Sequence, residues 1–180
     1  MHTSSVVRLG VRWSNTLKVG IPALDADRRC LVRVISLLQG IRDADEARTM
    51  VTATLETLGL YARFHFAREE RVLEAFNYPG LELHRSEHQA FAADLERLRR
   101  RFGGRADRKA AALLQSALAE RLAHHVLLYD MDYRAFIDDP ARAEQIARSG
   151  CAESLLSLDA PRRPCRRRPR VPQTAAVAML

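Results

Sequence analysis

The sequence has little of several features that mark large classes of proteins. It has only three cysteines in 180 residues, Cys30, Cys151 and Cys165, and such an odd, widely spaced set is not a disulfide framework. No apolar run approaches the roughly 20 residues that a membrane-spanning helix needs. The N-terminus has no long apolar segment after its first basic residue, Arg8, so we expect no secretory signal. The sequence therefore predicts a cytoplasmic protein with no membrane association.

Strand signals are also scarce, because alternation of apolar and polar residues is weak and β-branched residues are scattered. Hydrophobic residues nevertheless make up 47% of the chain, which is enough for one core and excludes a wholly disordered protein. The formal net charge of +7 is unevenly distributed. Residues 141–180 carry eight arginines against three acidic residues, a net +5, which leaves +2 for residues 1–140. Any argument from basic charge therefore concerns the C-terminal tail.

Helical periodicity divides the middle of the chain into four segments. Apolar residues recur at helical spacing, Gly40 ends the first stretch, and Asp43 with Glu46 forms a motif like a capping box at the start of the second. The predicted helices cover 24–38, about 43–76, about 81–101 and about 108–137. Four long amphipathic helices with short connections predict an all-α protein, an antiparallel up-down-up-down four-helix bundle over 24–140.

The segments before and after the predicted bundle are expected to be largely irregular. Residues 1–23 are expected to form an irregular N-terminal arm, and 141–149 a short extra helix. The Arg- and Pro-rich stretch that follows predicts a disordered basic tail, so that 141–180 is a short helix and then disorder. Six arginines fall within 162–170, but no aromatic residues alternate with them for base stacking. We expect weak, non-specific contacts at most and no specific nucleic-acid binding.

Histidines and carboxylates occur as pairs on three successive predicted helices. The pairs are His65 with Glu69, His84 with His88, and His125 with Asp130, the last at the looser spacing of five residues. Helical bundles build metal sites from ligands that converge in the interior, and imidazole with carboxylate suits iron, zinc or manganese. Four imidazoles and two bridging carboxylates could hold a pair of cations.

Each pair alone also has an ordinary interpretation. A single pair one turn apart is often a surface pair worth a few tenths of a kcal/mol, about the effect of any favourable helical pair. Three such pairs on three successive helices favour a metal site instead. Glu70 is expected to be structural or to support a ligand, and His124, about 100° around the helix from His125, is expected to be exposed.

Taken together, these motifs resemble those of the bacterial hemerythrins over about residues 12–137. The likeness rests on Trp13, Val19–Asp25, Tyr61–Glu70, Tyr78-Pro79, the His84–Phe91 motif and the segment His125–Tyr133. The resemblance implies an antiparallel bundle that holds a non-haem di-iron centre and binds O2 reversibly, for storage, delivery or sensing. It implies a binding protein rather than an enzyme.

The resemblance also assigns roles to the six residues. By position, the ligands of the coordinatively filled iron are His84, His88 and His125. His65 corresponds to a ligand of the second iron, where O2 binds in this family. Glu69 and Asp130 correspond to the bridging carboxylates. The aromatic residues Trp13, Phe64, Phe66, Phe91 and Tyr133 are expected to pack in the core or line the pocket.

One departure from the family falls on the site itself. The family has a histidine ligand on the first helix, three residues after the position of Asp25, and this sequence has Arg28 there. Arginine stays protonated and offers no acceptor, so it is not a ligand. Cys30 lies about 200° around the helix, which leaves Asp25 as the nearest group that could substitute.

Several outcomes follow from Arg28. The second iron could survive with water in place of the imidazole, or a single metal could bind at the three-histidine end. The guanidinium could instead take the space of the second iron and pair with Glu69, or swing out to solvent. The corresponding alternatives to O2 binding are an altered mono- or weakly di-iron site with peroxidase- or oxidase-like activity, and a metal-poor interaction module.

Overall fold

The computed structural model describes residues 13–104 and 106–149, and these residues form helices and turns with no strand. The helices are α1 (Pro22–Ser36), α2 (Ala44–Ala75), α3 (Leu81–Phe102), α4 (Arg108–His125), α5 (Met131–Arg134) and α6 (Pro140–Arg148). The four long helices α1–α4 form the predicted all-α bundle, which is therefore confirmed. Most of the predicted N-terminal arm and the predicted disordered tail lie outside the described residues. None of the described helices is long and apolar enough to cross a bilayer.

The predicted starts of the second and fourth helices are confirmed by their capping hydrogen bonds. The Asp43 carboxylate accepts from the Glu46 N–H at 2.9 Å, and Glu46 in turn accepts from the Arg42 N–H at 2.9 Å. The Asp107 carboxylate accepts from the Ala110 N–H at 2.7 Å, one turn into α4. These local bonds satisfy backbone donors that have no partner inside their own helix.

The bundle buries two apolar clusters, one above the other along the helices. The larger one, the main core, fills the space between α1, α2, α3 and α4. The smaller one, the end cluster, consists of Val19, Ile21, Leu24, Val72, Leu73, Tyr78, Tyr133, Ile137, Ala143 and Ala147. The last two belong to α6, which packs against α1 and α2, and there the Ala23 N–H donates to Glu144 at 2.8 Å.

The fourth predicted helix differs from the structure. Instead of one helix to about residue 137, α4 ends at His125, and a π-helical turn over Val126–Asp130 leads into α5, which ends at Arg134. In this wider turn the Met131 N–H donates to the carbonyl of Val126, five residues back. Compared with a continuous α-helix, the π-helical turn changes which of the residues after His125 face the bundle interior.

Candidate metal centre

All six residues predicted to form a metal site lie together inside the bundle, where the main core meets the end cluster. They come from α2, α3, α4 and the π-helical turn, and each is no more than 3% exposed: His65, Glu69, His84, His88, His125 and Asp130. Charged and polar side chains are rarely buried so completely unless they pair with one another or hold a metal. The packing of the four helices therefore creates one polar compartment.

Three histidines converge on one side of this compartment, the histidine side. The Nε2 atoms of His84 and His88 each lie 3.2 Å from Glu69 Oε2. His125 Nε2 lies 3.1 Å from Asp130 Oδ1. The ligand atoms of Glu69 and the three histidines are all within 4.8 Å of one another, which is the arrangement a bound cation requires.

The residues of the histidine side fit one cation. Both ring nitrogens of His125 and the Oδ1 atom of Asp130 are buried and make no hydrogen bond, although Nε2 and Oδ1 are neighbours. Buried polar atoms almost always have a partner, so unpartnered atoms that face each other indicate a missing one. The three histidines and Glu69 could hold a cation there, and Asp130 Oδ1 lies beside His125 Nε2; imidazole with carboxylate is a donor set that suits iron.

Three of the histidines have a carboxylate near the Nδ1 atom of their ring, and only the Glu70 contact is a hydrogen bond. The pairs are Glu70 with His88 Nδ1 at 2.7 Å, Asp27 with His65 Nδ1 at 3.5 Å, and Glu87 with His125 Nδ1 at 3.9 Å. Metal-binding histidines characteristically present their other ring nitrogen to such a group. Burial alone would lower the pKa of His88, but the neighbouring glutamates raise it to about 9. The supporting role expected of Glu70 agrees with its contact to His88.

Arg28 lies on the opposite side of the two carboxylates, the arginine side. Its side chain is 1% exposed, so the possibility that it swings out to solvent is wrong. The Nε–H donates to Asp130 Oδ2 at 2.8 Å, and the Nη2 group donates to Glu69 Oε1. Nη2 also donates to the Tyr133 hydroxyl at 2.6 Å, and that hydroxyl donates to Glu69. The guanidinium is thus enclosed by acidic groups.

These contacts fix the ionisation of the arginine side. Burial alone would lower the pKa of Arg28, but Asp130 and its other acidic neighbours raise it well above its usual value. Burial alone would raise the pKa of Glu69, but Arg28 and the histidines hold it well below its usual range. Burial raises the pKa of Tyr133 well above 10. The group therefore consists of a guanidinium, ionised Glu69 and a neutral phenol.

The Asp25 carboxylate accepts hydrogen bonds from the backbone before α1. One carboxylate oxygen accepts from the Val19 N–H at 2.8 Å and the other from the Gly20 N–H at 3.2 Å. Gly20 has a φ of +89°, a conformation that glycine adopts without steric cost. Asp25 also lies 3.5 Å from Arg28 Nη1. Its carboxylate closes the turn into α1, and it does not belong to either group of candidate ligands.

Sequence reasoning missed three parts of this compartment. Asp27 and Glu87 gave no signal, because their partners are on other helices and spacing along one helix says nothing about such contacts. Tyr133 is buried, as expected of a packing residue, but its hydroxyl also joins Arg28 to Glu69. His124 is exposed, as predicted.

A bundle of antiparallel helices with a buried cluster of histidines and carboxylates defines a class of helical metal-binding proteins. The model of the hemerythrin HHE cation binding domain family matches residues 19–137. The chain belongs to this family.

Similar proteins carry the same family name. The chain is 32% identical over 120 residues to a bacteriohemerythrin of Ralstonia nicotianae, covering 67% of this chain and 83% of that protein. It is 26% identical over 137 residues to a bacteriohemerythrin of Stenotrophomonas maltophilia, covering 74% and 88%. A bacteriohemerythrin of Pseudomonas paraeruginosa is 27% identical over 121 residues, with 67% and 77% covered. Family membership supports a non-haem iron-binding protein that acts by binding or sensing rather than as an enzyme.

Proposed function

We propose that this chain is a non-haem iron protein that binds O2 for storage, delivery or sensing. The observation that carries the proposal is the convergence of three buried imidazoles on Glu69 and Asp130, with His125 Nε2 and the neighbouring Asp130 Oδ1 left without hydrogen-bond partners. The proposed iron ligands are His84, His88, His125, Glu69 and Asp130. His65, Glu69 and Asp130 form a second candidate group, but both of its carboxylates also contact Arg28.

The donor set supports iron as the cation. Three imidazole nitrogens and two carboxylate oxygens are five donors of intermediate hardness, and five donors leave one position of an octahedral ion open. Bound ferrous iron would supply that open position and an electron-rich centre for a small ligand such as O2. The protein's own residues supply the ligand atoms, and Glu70 orients the ring of His88 through its contact with Nδ1.

Apolar packing beside the histidines supports O2 as the small ligand. The Phe66 ring stacks on His88 with ring centroids 3.9 Å apart, and the Phe91 ring meets His125 edge-on at 5.7 Å. Phe91 also lines a small apolar cavity in the main core, together with Leu31, Ile35, Leu58, Ala62, Leu95, Leu118 and Leu122. Such a lining keeps water from the histidines, which favours an apolar ligand such as O2 over a polar one.

The metal-poor interaction module is less well supported. Without a cation, the chain buries unpartnered atoms of His125 and Asp130, and each such atom costs about 1–3 kcal/mol. A bundle that served only as an interaction surface would gain nothing from burying these unpartnered atoms.

Three expectations from the sequence stay predictions. They are the cytoplasmic location, the absence of specific nucleic-acid binding by the tail, and the domain division at 24–140.

Anaerobic loading with Fe(II) tests the iron site. We expect the wild-type chain to retain iron through gel filtration and His125→Ala to lose it, because one of the three imidazoles is removed. His124→Ala is the matched control, since His124 is the adjacent residue but exposed, and it should retain iron like the wild type. Equal retention by all three proteins, or by none, would refute the iron site.

Admission of air to the loaded wild type tests O2 binding. We expect an absorption change that degassing reverses. Irreversible oxidation of the iron would contradict O2 storage and delivery while leaving the iron site in place.

A further inference from the structure

We propose that the Arg28 guanidinium takes the place of a second cation, so that this chain holds a single iron where its family resemblance implies two. The inference rests on the proposed iron site and concerns the number of ions in it. It also assigns Arg28 a role as the permanent, tethered cation of the centre.

The two central carboxylates divide their oxygens between the two sides. Glu69 presents Oε2 to His84 and His88 and Oε1 to Arg28. Asp130 presents Oδ1 to His125 and Oδ2 to Arg28 Nε at 2.8 Å. A carboxylate that bridges two metal ions offers one oxygen to each. Here the oxygens on one side are already bound by the two-pronged donor edge of a guanidinium.

Charge balance also favours one iron. Glu69 and Asp130 together carry two negative charges, and Arg28 carries one positive charge. One ferrous ion would leave the group with a small positive excess, whereas a second would add two more positive charges beside a buried guanidinium. Burial of uncompensated charge costs several kcal/mol per ion, and arginine does not lose its proton to relieve it.

The packing around Arg28 opposes its displacement by a metal. Its Nε and NH2 groups donate to Asp130, Glu69 and Tyr133, and its Nη1 atom lies 3.5 Å from Asp25. To leave, the side chain would have to break these contacts and move out of a site where it is 1% exposed. A second ferrous ion would therefore have to compete with a group that is held at high effective concentration by the chain itself.

The first test is the iron content of three proteins after anaerobic loading with excess Fe(II) and gel filtration. We expect about one iron per chain in the wild type and about two in Arg28→His, in which an imidazole replaces the guanidinium. Arg33→His is the matched control, because it makes the same exchange at an exposed position on α1, and it should hold about one.

Each outcome of this experiment has a distinct meaning. Two irons in the wild type would overturn the inference and leave the proposed iron site intact. One iron in both the wild type and Arg28→His would also overturn it, since Arg28 would then not be what excludes the second ion. If neither the wild type nor Arg28→His binds iron, the proposed function is refuted, and the single-iron site with it.

A second readout needs only the wild type and covers the possibility that Arg28→His does not fold. A lone ferric ion has half-integer spin and gives an electron paramagnetic resonance signal, whereas two coupled ferric ions give none. After oxidation, we expect a signal that accounts for nearly all of the bound iron. Bound iron without this signal would overturn the inference.

Discussion

The two sides of the compartment use the same carboxylates in different ways. On the histidine side, Glu69 and Asp130 face imidazoles, and some of the facing atoms have no partner in the cation-free chain. On the arginine side, the same two residues are bound by a guanidinium and a phenol that complete their hydrogen bonds. Buried carboxylates need positive charge. The Arg28 side chain supplies it on one side, and on the other side we propose that an iron ion from solution supplies it.

This difference predicts how each side depends on its surroundings. The cation of the arginine side is covalently part of the chain, so its contribution to folding is present at any iron concentration. The histidine side gains stability only as iron binds the folded state, by an amount that grows with the ratio of free iron to its dissociation constant. Three sets of variants test the comparison.

Loss of the tethered cation should have the largest effect. Arg28→Ala leaves Glu69 and Asp130 buried without their main partner, and we expect the free energy of unfolding of the cation-free protein to fall by about 3–5 kcal/mol. Chemical denaturation with chelator present measures it.

The matched control for this substitution is Arg33→Ala, which removes an exposed arginine from the same helix and should change stability by less than about 0.5 kcal/mol. A similar small loss in both variants would mean that the buried ion pairs contribute nothing net.

Removal of the carboxylates behind the histidines should separate the two sides. Glu70→Gln weakens the support of His88, so we expect the affinity for the first iron to fall by about 10–100-fold. Asp27→Asn alters the surroundings of His65, which is not one of the three histidines that converge with Glu69, and we expect a change of less than about threefold. Competitive titration against a coloured chelator measures both affinities, and equal losses would contradict the division into two sides.

The Tyr133 hydroxyl should have a smaller effect on stability than Arg28. Tyr133→Phe removes one donor to Glu69 and one acceptor for Arg28 but leaves their direct contact, so we expect a loss of about 1–2 kcal/mol in unfolding free energy. Tyr129→Phe, at the half-buried Tyr129 ring beside His125, is the comparison and should cost less. If the two variants lose equal unfolding free energy, the hydrogen bonds of the Tyr133 hydroxyl contribute no more to stability than an ordinary tyrosine hydroxyl does.

Most of the fold could be predicted because its signals are local. The Asp43 and Asp107 caps, the Gly40 stop and the helical apolar spacing all act within a few residues, and the structure has α2 and α4 starting where these signals place them. The end of the fourth helix could not be predicted in this way. Its π-helical turn includes a bond from the Met131 N–H to the Val126 carbonyl, and no residue type specifies this spacing.

The candidate site was predictable in membership but not in arrangement. The pairs of His and acidic residues on successive helices identified which side chains share an interior. The five-residue spacing from His125 to Asp130, loose in an α-helix, is accommodated by the π-helical turn, and their Nε2 and Oδ1 atoms lie 3.1 Å apart. The supporting roles of Asp27 and Glu87 depend on contacts between helices and had no counterpart in the sequence pattern.

By itself, then, the sequence determined an all-helical bundle, its helix starts, the six candidate ligands and the presence of an arginine where a ligand is expected. Those properties follow from spacing along single helices and from the chemistry of each side chain. Only the tertiary structure decided where Arg28 points. A long side chain on a helix can reach solvent or the interior, and the choice depends on what the facing helices offer. Here α2 and the segment after α4 offer two buried carboxylates and a phenol, and burial of that much acidic charge without a partner would cost more than burial of the guanidinium beside it.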